Sequence, residues 1–195
     1  MNTEVIRIKF LANAPHSEDL APGGSRQLLV LNPAYWMCKT YHDIHGKCQP
    51  EWLVQDFVPD KNVTQTVGEL LKAKVNFLML PCFVWNIDLQ MEIAKAYKER
   101  VPTGKVLCGG PQLQAHKDPK FFKKHPYVDF VVYGDGEQAV SNILDYLATG
   151  ERGPWVNTVE NVGGYAKLWP FEVLRDEKYW STSPYLTQKN FIRDH

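Results

Sequence analysis

Val75-Asn76-Phe77-Leu78-Met79-Leu80-Pro81-Cys82-Phe83-Val84-Trp85-Asn86 opens the part of the chain whose reading decides the fold. Two further apolar runs follow it. Lys105-Val106-Leu107-Cys108 stops at Gly109-Gly110-Pro111, and Val128-Asp129-Phe130-Val131-Val132 stops at Tyr133-Gly134-Asp135-Gly136-Glu137. Short apolar runs bounded by Gly and Pro, and separated by helical segments, predict parallel strands buried on both faces. In such a sheet a ligand sits beyond the carboxyl ends of the strands, where these three loops fall.

Outward from this stretch the elements alternate. Thr66-Val67-Gly68-Glu69 has the capping-box form and predicts a short helix feeding the strand at 75. Asn86 is placed to N-cap a helix to about 100, with Ile87, Met91 and Ala94 on one face. Residues 116–126 allow a short helix at most. Residues 136–148 predict the clearest helix, with Ala139, Val140, Ile143, Leu144 and Leu147 at helical spacing and Gly150 as a left-handed stop.

Toward the N-terminus, Ile6, Ile8 and Phe10 alternate with Arg7 and Lys9, which predicts an edge strand or one arm of a small hairpin. Residues 14–26 read as loop. Gln27-Leu28-Leu29-Val30-Leu31-Asn32, ended by Pro33, reads as the first core strand, and residues 34–60 as a long, aromatic, irregular loop. Toward the C-terminus, runs at 155–159 and 165–168 around Asn161-Val162-Gly163-Gly164 predict a hairpin, and 171–195 a wrapping tail. Right-handed crossovers through this order predict an α/β, flavodoxin-like (Rossmann-like) doubly wound, mainly parallel sheet with helices on both faces.

At 195 residues, 44% hydrophobic and 23% charged, the chain suits a soluble globular domain with a sizeable core. Lys plus Arg equals Asp plus Glu, so nothing favours nucleic acid or an anionic membrane as partner. No stretch is long and apolar enough for a membrane span, and the start lacks the signature of a signal peptide, so a cytoplasmic location is the default expectation. Four cysteines, with Cys82 and Cys108 at strand ends, read as buried thiols and not as a disulfide framework.

Phe83-Val84-Trp85-Asn86 after one strand, Gly109-Gly110-Pro111 after the next, and Tyr133-Gly134-Asp135-Gly136-Glu137 after the third resemble, in that order, the cobalamin-binding domain that precedes the catalytic core of B12-dependent radical S-adenosylmethionine enzymes. Ser183-Pro184-Tyr185-Leu186-Thr187 resembles the linker into that core, so the resemblance covers about residues 27–187. It implies an N-terminal extension at 1–26, a cobalamin-binding α/β domain at 27–153, and a hairpin and linker-like tail at 154–195. It also implies cofactor contacts from Asn32 and Pro33, from Cys82, Phe83, Val84, Trp85 and Asn86, from Gly109, Gly110 and Pro111, and from Tyr133, Gly134, Asp135, Gly136 and Glu137. A corrin is broad and rigid, so turns beneath it favour residues without a Cβ. A tight turn without ligand, an ordinary core role for Trp85, and a helix-dipole role for Glu137 stay open beside these readings.

The polar run from Cys38 to Cys48 permits two sharper readings. Asp43 and His45 fit the start of the cobalamin motif Asp-x-His-x-x-Gly, in which His ligates cobalt, although Cys48 stands where that motif has its Gly. Alternatively Cys38, His42, His45 and Cys48 are four candidate zinc or iron ligands. A polar capping and packing loop is the plain alternative. No Cys-x-x-x-Cys-x-x-Cys triplet occurs, so by itself the sequence is not expected to hold the 4Fe-4S cluster of a radical core. The expected function is therefore a cobalamin-binding module, serving a separate radical S-adenosylmethionine core or carrying the cofactor. A flavodoxin-like flavin or nucleotide binder and a zinc-binding interaction module are the alternatives. Trp155, Trp169 and Trp180 are candidates for a surface against which a catalytic domain packs.

Overall fold

The computed structural model describes residues 5–11, 33–53, 62–114, 120–151, 153, 157–163 and 165–168. Among these, seven strands form one sheet: β1 (Arg7–Phe10), β2 (Glu51–Trp52), β3 (Phe77–Pro81), β4 (Lys105–Gly109), β5 (Phe130–Val132), β6 (Thr158–Val162) and β7 (Tyr165–Leu168). Their order is β2-β1-β3-β4-β5-β6-β7, parallel through β5 and antiparallel beyond it. The first five strands thus follow the 2-1-3-4-5 order of a flavodoxin-like sheet, with the chain reversing direction of travel between β1 and β3. The expected doubly wound, mainly parallel architecture is borne out.

Among the described residues six helices, α1 (Pro33–His45), α2 (Val63–Lys72), α3 (Ile87–Arg100), α4 (Pro111–Gln114), α5 (Lys120–Lys124) and α6 (Glu137–Thr149), surround this sheet. Strand alternation divides the core in two. Leu78, Leu80, Val106, Cys108 and Val131 face α2 and α3, where they meet Val67, Leu70, Met91, Ile93, Ala94 and Tyr97. Ile8, Phe10, Phe77, Met79, Leu107, Phe130 and Val132 face the other way, against Tyr35, Trp36 and Cys38 of α1 and Ala139, Val140, Ile143 and Leu144 of α6. Strands buried on both faces read as unbroken apolar runs, which is why β3, β4 and β5 were legible.

Four expectations are corrected. The strand at Arg7–Phe10 is no edge: it lies between β2 and β3 and pairs with both in parallel. Residues 34–60 do not form one irregular loop, because α1 and β2 occupy much of that span. The buried stripe of α1 runs through Tyr35, Cys38 and His42, flanked by Thr40, and a search for apolar periodicity does not count its polar members. The cap of α2 is Asn62, whose side chain accepts from the Gln65 amide at 2.8 Å, and Thr66 is buried inside the helix. The hairpin's first strand spans Thr158–Val162, a few residues later than expected. The expected strand at 27–32, the linker-like Ser183–Thr187 motif and Trp155, Trp169 and Trp180 lie outside the described residues.

Asp129 joins the amino ends of the strands. Its carboxylate accepts from the Val106 amide at 2.8 Å and lies 3.0 Å from Lys98 Nζ and 3.4 Å from Lys105 Nζ. Asp129→Ala leaves a buried strand amide and a half-buried ammonium without that acceptor. Urea unfolding is expected to show a loss of about 2–3 kcal/mol. Among the described residues, no helix is long and apolar enough to cross a membrane.

Candidate functional site

Beyond the carboxyl ends of β1, β3, β4 and β5 the sheet, α1 and α6 enclose a cleft of about 290 Å³. Its floor is Phe10, Met79, Leu107 and Val132, which point the same way from four adjacent strands. Ala34, Met37 and Cys38 of α1 form one wall, Glu137 and Val140 of α6 the other. The rim is built from Phe83, Gly109, Gly110, Pro111, Gly134, Asp135 and Gly136. The three loops singled out in the sequence therefore meet at one place.

Backbone contacts strap the first two loops together. The Cys82 amide donates to Gly109 O at 2.6 Å, and the Gln112 amide donates to Cys82 O at 3.3 Å. Gly110 crosses this strap at φ +115°, where an added Cβ would stand 2.6 Å from Cys82 O. Only glycine fits both the conformation and the approach. Gly134 also has positive φ, at 70°. Gly136 differs: a Cβ there would lie 3.7 Å from Cys38 Sγ and 3.9 Å from Val132 Cγ1, ordinary contacts within the cleft.

Asn86 braces the loop after β3 from behind. Its Oδ1 accepts from the Phe83 amide at 2.7 Å and its Nδ2 donates to Pro81 O at 3.0 Å, so the side chain fixes the loop and does not cap α3. Held in this way, Val84 and Trp85 remain 73% and 54% exposed, and the rings of Phe83 and Trp85 stack at 4.7 Å with 3° between planes. Trp85 is thus an exposed ring stacked on the rim residue Phe83 and not a core aromatic.

Of the expected cofactor contacts, Phe83, Gly109, Gly110, Pro111, Gly134, Asp135, Gly136 and Glu137 line the cleft. Cys82 and Tyr133 are buried behind the loops, and burial pushes the Tyr133 hydroxyl up to about 12. Pro33 begins α1, and Asn32 lies outside the described residues. The floor and the α1 wall had no loop motif to announce them. Their signal was the alternation of Phe10, Met79, Leu107 and Val132 onto one sheet face, which needs the strand register to read. Cys38, proposed from sequence only as a zinc ligand, lies in this wall; burial and then the Glu137 carboxylate hold its thiol well above the usual range.

The remaining residues of the Cys38-to-Cys48 run fall elsewhere. At about 1.5 Å of rise per residue, His45 lies about 10 Å along α1 from Cys38, toward the opposite end of the sheet. Its ring packs against Tyr41 at 4.5 Å. His42 and Cys48 come together, with Cys48 Sγ 3.6 Å from His42 Nε2, but the third donor beside them is Asp145 of α6. This replaces the expected set of Cys38, His42, His45 and Cys48. Burial lowers the His42 pKa against the opposing pull of Asp145, and burial followed by Asp145 pushes the Cys48 thiol up to about 12.

No family model matches the chain. Over 67 residues, 34% of its length, it is 46% identical to the cobalamin-dependent radical SAM methyltransferase TokK of Streptomyces tokunonensis. Over a stretch of the same length it is 45% identical to the 2-(S-pantetheinyl)-carbapenam-3-carboxylate methyltransferase of Streptantibioticus cattleyicolor. The matched stretch spans about a tenth of the length of these relatives, 10% of each. Among solved structures it is similar to the cobalamin-dependent S-adenosylmethionine radical enzyme OxsB with aqua-cobalamin bound, at TM-score 0.65 and 13% identity, over 88% of this chain and 23% of that one. The apo form of the same enzyme gives a TM-score of 0.64. At that identity the likeness establishes the fold. Together with the sequence relatives it bears out the resemblance carried by the loop motifs.

Proposed function

We propose that this chain binds cobalamin across the carboxyl end of its sheet, with the nucleotide tail in the cleft and the corrin lying outside on the loops after β3, β4 and β5. The observation that carries the reading is the coincidence of all three glycine- or aromatic-bearing loops with one apolar cleft between α1 and α6. At about 290 Å³ the cleft sits at the lower bound of small-molecule pockets, roughly 300–1,000 Å³. That volume suits a flat aromatic base and not a whole corrinoid. Gly136 marks a cradle that a side chain would fill, and Trp85, stacked on the rim residue Phe83, presents an exposed flat ring beside it.

When bound, cobalamin would supply cobalt-centred chemistry that amino-acid side chains cannot. The chain's own residues position it. Phe10, Met79, Leu107 and Val132 exclude water beneath the base, Cys38 and Glu137 offer it polar groups, and the strap between Cys82 and Gly109 keeps the corrin-facing loops rigid. His45, at the far end of α1, takes no part. The exposed corrin face would be presented to a radical S-adenosylmethionine core, in the cytoplasm, where the four free cysteines stay reduced. Carriage and delivery of the cofactor is the variant of this reading in which no such core docks. The 2-1-3-4-5 strand order favours a flavin as the second reading, because flavodoxin-type sheets bind FMN at the same switch point.

Titration of the purified chain with hydroxocobalamin, followed by visible absorbance, tests the proposal. Saturable binding at micromolar protein is expected, with a spectrum unchanged in His45→Ala. Absence of binding, with saturable uptake of FMN instead, would move the site to the flavin reading.

A further inference from the structure

Away from the cleft, at the other end of the α1–α6 layer, three donors of different chemistry converge from three segments. His42 comes from α1, Cys48 from the connection between α1 and β2, and Asp145 from α6. One ligand atom of each lies within 4.8 Å of the others. Their surroundings look built around the imidazole. His42 is 2% exposed, and Gly46 packs so closely over its ring that an added Cβ would stand 2.3 Å from Cε1. Asp145 Oδ1 accepts from the Lys47 and Cys48 amides at 2.8 and 3.1 Å, which pins the thiol-bearing residue in place.

The spacing is that of a coordination sphere. Bonds of about 2.3 Å to sulfur and about 2.0–2.1 Å to nitrogen, at a tetrahedral angle, separate the two donors by about 3.6 Å. Cys48 Sγ and His42 Nε2 are 3.6 Å apart. The other ring nitrogen, Nδ1, lies 2.9 Å from Ser141 Oγ, the kind of outer partner that orients a metal-bound histidine. Nε2 also faces Cys48 O at 3.2 Å, so without an ion the same groups can close as a hydrogen-bonded cluster.

We infer that His42 Nε2, Cys48 Sγ and an Asp145 carboxylate oxygen form a site for a borderline-soft divalent cation, zinc foremost, with a fourth position for water. Thiolate, imidazole and carboxylate together suit zinc better than the oxygen-seeking magnesium or calcium. Binding exchanges the Cys48 thiol proton for the metal and releases it to solvent. Nδ1 then carries the ring proton and donates to Ser141 Oγ. The ion would tie α1 to α6, the two helices that wall the cleft, without touching the cofactor site.

The test uses the untagged full chain, stripped with chelator and free of cobalamin, reconstituted with zinc and passed through gel filtration before elemental analysis. About one zinc per chain is expected in the wild type and a small fraction of that in Cys48→Ser and Asp145→Asn, the latter keeping an oxygen to cap the two amides. Ser141→Ala is expected to weaken zinc binding by about 10–100-fold, as loss of an outer partner does. Cobalt(II) added to the wild type gives a reading that needs no variant to fold: a thiolate-to-metal charge-transfer band is expected. Equal zinc in wild type and folded variants, or no such band, overturns the site and leaves the hydrogen-bonded cluster.

Discussion

Gly136→Leu is expected to abolish saturable hydroxocobalamin binding while leaving the protein folded. The residue caps α6 at φ −96° and ψ −12°, a conformation open to any L-residue. Losing glycine at a cap costs a few tenths to about 1 kcal/mol, and restricting the unfolded chain returns about 0.4–1 kcal/mol, so the net change in stability is small. The new Cβ would sit between Cys38 Sγ and Val132 Cγ1, and the leucine methyls beyond it would fill the cleft floor. Titration followed by absorbance, beside urea unfolding of the same variant, separates the two effects. Unchanged binding in a folded Gly136→Leu protein would remove the cleft from the proposal.

Gly110→Ala should do the reverse and damage the scaffold first. At φ +115° a residue with a Cβ is strained by about 1–3 kcal/mol, and here that Cβ also meets a backbone oxygen at 2.6 Å, which cannot rotate away. Relief requires the loops after β3 and β4 to part, breaking the 2.6 Å bond between the Cys82 amide and Gly109 O. A stability loss of about 2–4 kcal/mol is expected in urea, with at least tenfold weaker cobalamin binding because the corrin-facing surface moves. The adjacent glycine supplies the control. At Gly109 an added Cβ would meet only Val132 O, at 3.6 Å, so Gly109→Ala should cost less than about 1 kcal/mol. Equal losses at the two positions would show that strain at Gly110 is not the cause.

These two glycines also show how far the sequence could be read. Both stood out because they interrupt or follow apolar runs, but one is required by the backbone and the other leaves room in the cleft. That distinction depends on φ and on what lies opposite, and opposite Gly110 is Cys82, twenty-eight positions earlier in the chain. The helix α1 was missed for a related reason. Its buried stripe includes Cys38 and His42, which are covered by α6, with Cys38 in the cluster of Ala139 and Val140 and His42 Nδ1 2.9 Å from Ser141 Oγ. β1 read as an edge strand because Arg7 and Lys9 alternate with its apolar residues. It is interior all the same, and Arg7 reaches Glu51 of β2 across a 2.9 Å ion pair.

The sequence by itself determined the three central strands, the helix from Asn86 to about residue 100, the helix over 136–148, the parallel architecture and the three loops where a ligand would sit. Those features rest on local information: apolar runs of strand length, helical spacing and glycines at turns. Only the tertiary structure decided which side chains share the cleft, that His45 stands apart from it, and that Cys48 meets Asp145 instead of Cys38. The physical reason is that strand register and helix packing, which join residues about a hundred positions apart, are set by the burial of whole faces and not by any neighbour along the chain.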